Sequence, residues 1–234
     1  MKLVSDSVRN GRPLPAEFAF GMLDAAGKVV LSANRNPHLA WTDVPAGAAS
    51  LVLLCIDGDA PVDGRHVNRA DVPLSAVAPR GDFFHWSLID IPLSLQHLPA
   101  GALSGGVTPH GKPGPDIVVG DTALRQGLND YTGWFAADPA MAGDYYGYDG
   151  PCPPWNDERV HHYIFRLYAL DVPRLDLAAR FTCADVLNAI HGHIIDEAQL
   201  ITSYTLNPSL APAAARSNTR TNTRTNTRTN TRTA

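Results

Sequence analysis

Leu51-Val52-Leu53-Leu54-Cys55-Ile56 is the most apolar run in the chain, and Asp57-Gly58-Asp59-Ala60-Pro61 follows it directly. A short apolar run that halts at turn-forming residues reads as a buried strand. On this reading the strand ends at Ile56, and Asp57 and Asp59 stand one residue apart in a turn at its mouth. Pro61 fixes the backbone of that turn. Carboxylates are costly to bury unpaired, so the rest of the chain is searched for what faces these two.

At 234 residues and 44% hydrophobic, the chain is long enough to bury one sizeable core, which makes a single domain the expectation. Nineteen glycines and nineteen prolines, set between short apolar runs, favour a β-rich fold over a helical bundle. The net charge of -4 conceals an asymmetry: Arg216, Arg220, Arg224, Arg228 and Arg232 lie in the tail, and without these five residues 1–210 carry -9. An acidic body argues against nucleic acid as a partner. Cys55, Cys152 and Cys183 form no CxxC pair, so neither a disulfide framework nor a zinc site is expected. Met1 to Arg12 lacks an apolar core of signal-peptide length, and no run approaches the roughly 18 apolar residues of a membrane span. The expectation is a cytoplasmic protein without membrane insertion.

Outward from the opening run, Phe18-Ala19-Phe20 and Val29-Val30-Leu31 read as short strands about a turn at Ala26-Gly27. Residues 62–82 are polar and punctuated by proline, as a long loop would be. Phe83 to Pro92 is the next strong strand; simple alternation sets His85, Ser87 and Ile89 on one face, with Trp86, Leu88 and Asp90 on the other. Residues 93–147 show little periodicity, and such a stretch is either a functional lid or a surface excursion pinned by its aromatic residues. In Val160 to Leu170, alternation groups His161, Tyr163, Phe165 and Leu167. A helix is expected near 183–198, opened by a capping box at Thr182 and Asp185 and carrying Val186, Leu187, Ile190, Ile194 and Ile195 as its apolar stripe. Leu200 to Leu206 reads as a last strand. The Asn-Thr-Arg-Thr repeat within 211–234 offers nothing apolar to offset ordering, so disorder is expected there.

Three separated segments resemble the phosphatidylethanolamine-binding proteins, in particular the bacterial Raf-kinase-inhibitor-like branch. The first runs from Pro37-His38-Leu39-Ala40-Trp41 to Asp57-Gly58-Asp59-Ala60-Pro61, similar to the family's Pro-x-Leu-x-Trp and Asp-Pro-Asp-Ala-Pro. The second is His85-Trp86 leading to Ile91-Pro92. The third is Tyr148-x-Gly150-Pro151-x-Pro153-Pro154 followed by His161-x-Tyr163. Gly58 replaces the usual proline between the aspartates, and the glycine expected after the Pro-Pro pair is missing from Trp155-Asn156-Asp157-Glu158. The resemblance implies a β-sandwich-like core of antiparallel strands with peripheral helices. It also implies a small anion-binding pocket built from Asp57, Asp59, Pro61, His85, Gly150, Pro153, His161 and Tyr163.

Those residue types suit a small phosphorylated or zwitterionic ligand. Imidazole and phenol groups supply donors to a phosphoryl oxygen, and the aspartates either orient the histidines or accept an ammonium group. Taken singly, Asp57 and Asp59 serve equally as turn caps, His85 as a core histidine, and Tyr163 as sheet packing. No cofactor is expected. Three functions compete. One is a phosphoryl-ligand binding protein that modulates a phosphorylated protein partner. Another is a metal-dependent or acid/base hydrolase using the same Asp57, Asp59, His85 and His161. The third is an interaction scaffold, including a homodimer, built on the aromatic 101–147 loop. No HExxH or G-x-S-x-G motif supports the hydrolase.

Overall fold

The computed structural model describes residues 1–211; the repeat that forms the expected disordered tail lies outside the described residues. At its centre, Ser50–Pro61 is a single twelve-residue strand. It runs through Asp57–Pro61 where a turn was expected, because Arg80–Ile91 keeps pairing with it to the end. Tyr163 pairs with Asp57 across one edge, and Gly81 and Arg80 pair with Ala60 and Pro61 across the other. Pro61 occupies the final position, where a missing N–H costs no interior ladder bond. The ladder shifts between Asp57 and Ala60, so Gly58 and Asp59 are skipped in the pairing.

Seven strands form the main sheet, in the order Asp116–Val119, Thr122–Gln126, Arg80–Ile91, Ser50–Pro61, His161–Leu170, Ile194–Tyr204 and Arg12–Pro13. All pairings are antiparallel except the last. A three-stranded sheet of Lys2–Val4, Leu39–Thr42 and His97–Leu98 covers one face. Leu3, Leu39, Trp41 and Leu98 there pack with Leu51, Leu53, Cys55, Trp86, Phe165 and Leu167. The opposite face buries Val52, Leu54, Ile56, Ile89 and Tyr168 beneath Phe181, Val186 and Ile190. Covering on both faces is why Leu51–Ile56 reads as continuously apolar instead of alternating.

The helix is shorter than expected, Cys183–Ile190. Its capping box is present, with Thr182 Oγ1 accepting from the Asp185 N–H at 3.3 Å and Asp185 Oδ2 accepting from the Thr182 N–H at 2.8 Å. Gly192, at φ +87°, turns the chain, and Ile194 and Ile195 belong instead to the eleven-residue strand Ile194–Tyr204. Tertiary pairing with His161–Leu170 overrides the helical spacing of these isoleucines. Phe18-Ala19-Phe20 is likewise not a strand: Ala16–Phe18 is a 3-10 turn, and Gly21–Leu23 pairs with Val29–Leu31.

Residues 93–147 are not structureless. They contain the Asp116–Gln126 hairpin of the main sheet and a helical turn at Tyr131–Trp134. Tyr131, Tyr145, Tyr146 and Tyr148 are buried, and Trp134 stays half-exposed at 51%. The weak periodicity reflects short pieces that pack by individual aromatic contacts, such as Phe20 stacked on Tyr131 at 4.6 Å between ring centroids.

Candidate functional site

The apolar face of the sheet turns polar at the carboxyl end of Ser50–Pro61. There Asp57, buried on the inward side, meets His161 on the adjacent strand, with Asp57 Oδ2 2.7 Å from His161 Nδ1. The other ring nitrogen, Nε2, lies 3.0 Å from Asp157 Oδ2. Asp157 also takes both arms of Arg80, at 2.5 and 2.9 Å. Two carboxylate partners require a proton on each ring nitrogen, so His161 is an imidazolium. Burial alone would depress its pKa, but the hydrogen bonds and charges of Asp157 and Asp57 win and lift it to about 9. Asp157 is held down at about 2 by His161 and Arg80 despite its own burial. His161 therefore has no donor left for a ligand.

His85 is arranged differently. A bulge in the ladder between Cys55 and Ile56 leaves His85 as the extra residue, since Trp86 pairs with Cys55 and Phe84 with Ile56. A bulge lets neighbouring residues share a face. His85 meets Tyr163 at 5.2 Å between ring centroids, while Trp86 packs beside Cys55 and Phe165 on that same inward face. Alternation had placed His85 and Trp86 on opposite faces. Phe83 at 5.0 Å and Tyr131 at 5.6 Å complete the walls. His85 and Asp149 are clasped twice: the Asp149 N–H donates to the His85 carbonyl at 3.1 Å, and His85 Nδ1 donates to the Asp149 carbonyl at 2.7 Å. Burial lowers the His85 pKa, partly opposed by Asp57. The only side-chain hydrogen bond of His85 among the described residues is the one from Nδ1, and the buried Tyr163 hydroxyl, beside the Asp57 carboxylate, makes no well-formed hydrogen bond.

The Tyr148–Gly150 wall is fixed from beneath. Asp149 Oδ1 accepts from Asn34 Nδ2 at 2.7 Å, and its Oδ2 accepts from Asn129 Nδ2 at 2.8 Å and pairs with Lys112 Nζ at 2.9 Å. The Gly150 N–H donates to Asn34 Oδ1, and the Gly150 carbonyl accepts from the Tyr131 hydroxyl, both at 2.8 Å. A Cβ at Gly150 would lie 2.1 Å from the Phe18 carbonyl oxygen, so only glycine fits this close approach.

Asp57, His85, His161, Tyr163 and Gly150 are thus brought into one cluster, with Pro153 buried in the segment that follows Gly150. Asp59 sits at the rim, occupied by Arg159 at 3.0 Å and His162 at 2.8 Å. Pro61 pairs with Arg80 at the strand's far end, four residues beyond Asp57. Neither aspartate presents a free carboxylate to an ammonium group in the way considered from sequence: both Asp57 oxygens are engaged, by His161 and by the Asp59 N–H at 2.8 Å. Among the described residues no three His, Cys, Asp or Glu side chains converge as metal ligands.

Sequence reasoning did not single out Asn34, Arg80, Phe83, Lys112, Asn129, Tyr131, Asp149 or Asp157. Two carried a local signal: Asp157 stands four residues before His161, and Asp149 precedes the Gly150 turn. The others arrive from distant segments with no pattern of their own. Phe83 also lines an open cleft of about 410 Å³ with Leu128, Asp130, Trp134 and Arg180 among others.

Fold and site together define a mainly β protein, its main sheet covered by a small sheet on one face and a helix on the other, with a buried histidine–carboxylate cluster where its central strands end. The phosphatidylethanolamine-binding protein family model matches residues 4–205. The chain belongs to that family. It is 30% identical over 205 residues to the UPF0098 protein YbhB of Escherichia coli, covering 88% of this chain and 100% of that one. A UPF0098 protein of Methanothermobacter thermautotrophicus is 35% identical over 171 residues, covering 73% and 83%. The crystal structure of Escherichia coli YbcL, described as a new member of the mammalian PEBP family, superposes with a TM-score of 0.62 at 23% identity, covering 87% and 97% of the two chains. No helix among the described residues is long and apolar enough to cross a membrane.

Proposed function

We propose that this protein binds a small phosphoryl-bearing anion against His85 and Tyr163, walled by Phe83, Tyr131 and Gly150. One observation carries the reading. In a cluster where His161, Asp57, Asp149 and Gly150 are hydrogen-bonded within the protein, His85 uses only its Nδ1, and the buried Tyr163 hydroxyl, beside the Asp57 carboxylate, makes no well-formed hydrogen bond. A buried polar group is seldom left unpaired, and the Tyr163 hydroxyl, on a ring set edge-on to His85 at 5.2 Å between centroids, suits donation to an anion held against that histidine. Asp57 and Asp59 then act through His161 and Arg159, holding the strand ends, and do not touch the ligand. A phosphorylated side chain of a protein partner offers the same phosphoryl group and is included in this reading.

The test is titration calorimetry of methyl phosphate into the wild type and His85→Ala, with folding of the variant checked by circular dichroism. Binding by the wild type and at least tenfold weaker binding by the variant is the expected result. Equal affinities would exclude His85 as the anchor.

A further inference from the structure

His85 Nδ1 faces the Asp149 carbonyl oxygen at 2.7 Å. A carbonyl oxygen only accepts, so Nδ1 must carry the ring's proton. Burial opposes a second one. The groups around the ring do not reverse this. Asp57 on the neighbouring strand favours the charged ring but is already paired with His161. The Asp149 carboxylate is matched by Lys112. His161 is a cation and opposes a second one beside it. Burial keeps Tyr131, Tyr163 and the Cys152 thiol in their neutral forms. His85 is therefore a neutral imidazole whose Nε2 is a bare acceptor.

A fully deprotonated anion brings only lone pairs to such an atom. The contact becomes a hydrogen bond when one proton lies between Nε2 and the ligand oxygen. We propose that the ligand binds together with one proton at this position, so that His85 selects singly protonated phosphoryl groups over anions that carry no proton. A phosphomonoester has a second pKa of about 6 and brings its own acidic O–H below that pH. Above it, the proton is taken from solvent. Sulfate has no proton to bring and must charge His85 to be held. The Tyr163 hydroxyl donates to a second oxygen in either case. This inference rests on the reading of the site given above.

The experiment is calorimetry with methyl phosphate and with sulfate at about pH 5 and about pH 8, each in two buffers of different ionisation enthalpy. Expected are uptake of about one proton per methyl phosphate at the higher pH and almost none at the lower. Affinity should weaken by about tenfold per pH unit above about pH 6, and sulfate should bind at least tenfold more weakly than methyl phosphate at about pH 8. His85→Asn should lose the proton uptake, and Tyr163→Phe should keep it. Methyl phosphate binding with flat affinity and no proton uptake, or sulfate binding equally well, would overturn the inference and leave the anion site standing. Failure of both anions to bind at any pH would instead overturn the site itself.

Discussion

Replacing His161 by glutamine removes a buried cation from between Asp57 and Asp157, and the loss should depend on pH in a way set by the site. The folded pKa of about 9 exceeds the ordinary 6.5. That difference is worth about 3 kcal/mol of stability. Because the folded value is the raised one, the contribution is fully present below about pH 6.5 and is lost as pH climbs through about 9. His161 is buried, so solvent screening takes little from this figure. Urea unfolding of the wild type and His161→Gln across this range, in phosphate-free buffer, measures it. The gap between the two proteins should be largest near pH 6 and should narrow by about 3 kcal/mol towards pH 10. Asp157, held at about 2, titrates far below this window and does not blur the comparison. A gap that stays constant from pH 6 to 10 would refute the imidazolium.

Other changes separate architecture from binding. Gly150→Ala should cost about 1–3 kcal/mol by thermal or urea unfolding, since its Cβ would meet the Phe18 carbonyl oxygen at 2.1 Å; unchanged stability would mean that the wall is looser than described. Tyr163→Phe should leave stability within about 1 kcal/mol, because the deleted hydroxyl makes no well-formed hydrogen bond, while methyl phosphate affinity falls several-fold. Asp149→Asn strands the Lys112 ammonium and should destabilise by about 3–5 kcal/mol. Adding Lys112→Met to that variant should recover much of the loss, and strict additivity of the two changes would disprove the pairing.

The fold was legible where short-range pattern and tertiary environment agree. Leu51–Ile56 showed itself as buried, and the alternation of His161, Tyr163, Phe165 and Leu167 matches the inward face. Ile194 and Ile195 misled because their spacing fits a helix, while ladder pairing with His161–Leu170 decides their conformation. Asp57–Pro61 misled because aspartate, glycine and proline are turn formers, and nothing local reveals that neighbouring strands extend far enough to keep the segment paired. In the site, the motif residues were visible as motif residues. Their roles were not: whether a histidine is a saturated cation, like His161, or a free acceptor, like His85, depends on Asp157 and Asp149 reaching it across the fold.

The bulge at His85 has an evolutionary and engineering consequence. In a regular strand, a substitution changes one side chain and leaves its neighbours' orientation alone. Here the extra residue is what aims both His85 and Trp86 inward. Deleting one residue between Arg80 and Phe84 would leave two poor choices. Either the bulge survives and the strand's outer end shifts register against Asp57, or the bulge is ironed out and His85 swings to the layer beneath the helix, beside Ile56 and Ile89, while Phe84 turns to the opposite face. Length in this strand should therefore be constrained more tightly than composition, with single-residue indels costing more than conservative changes of side chain.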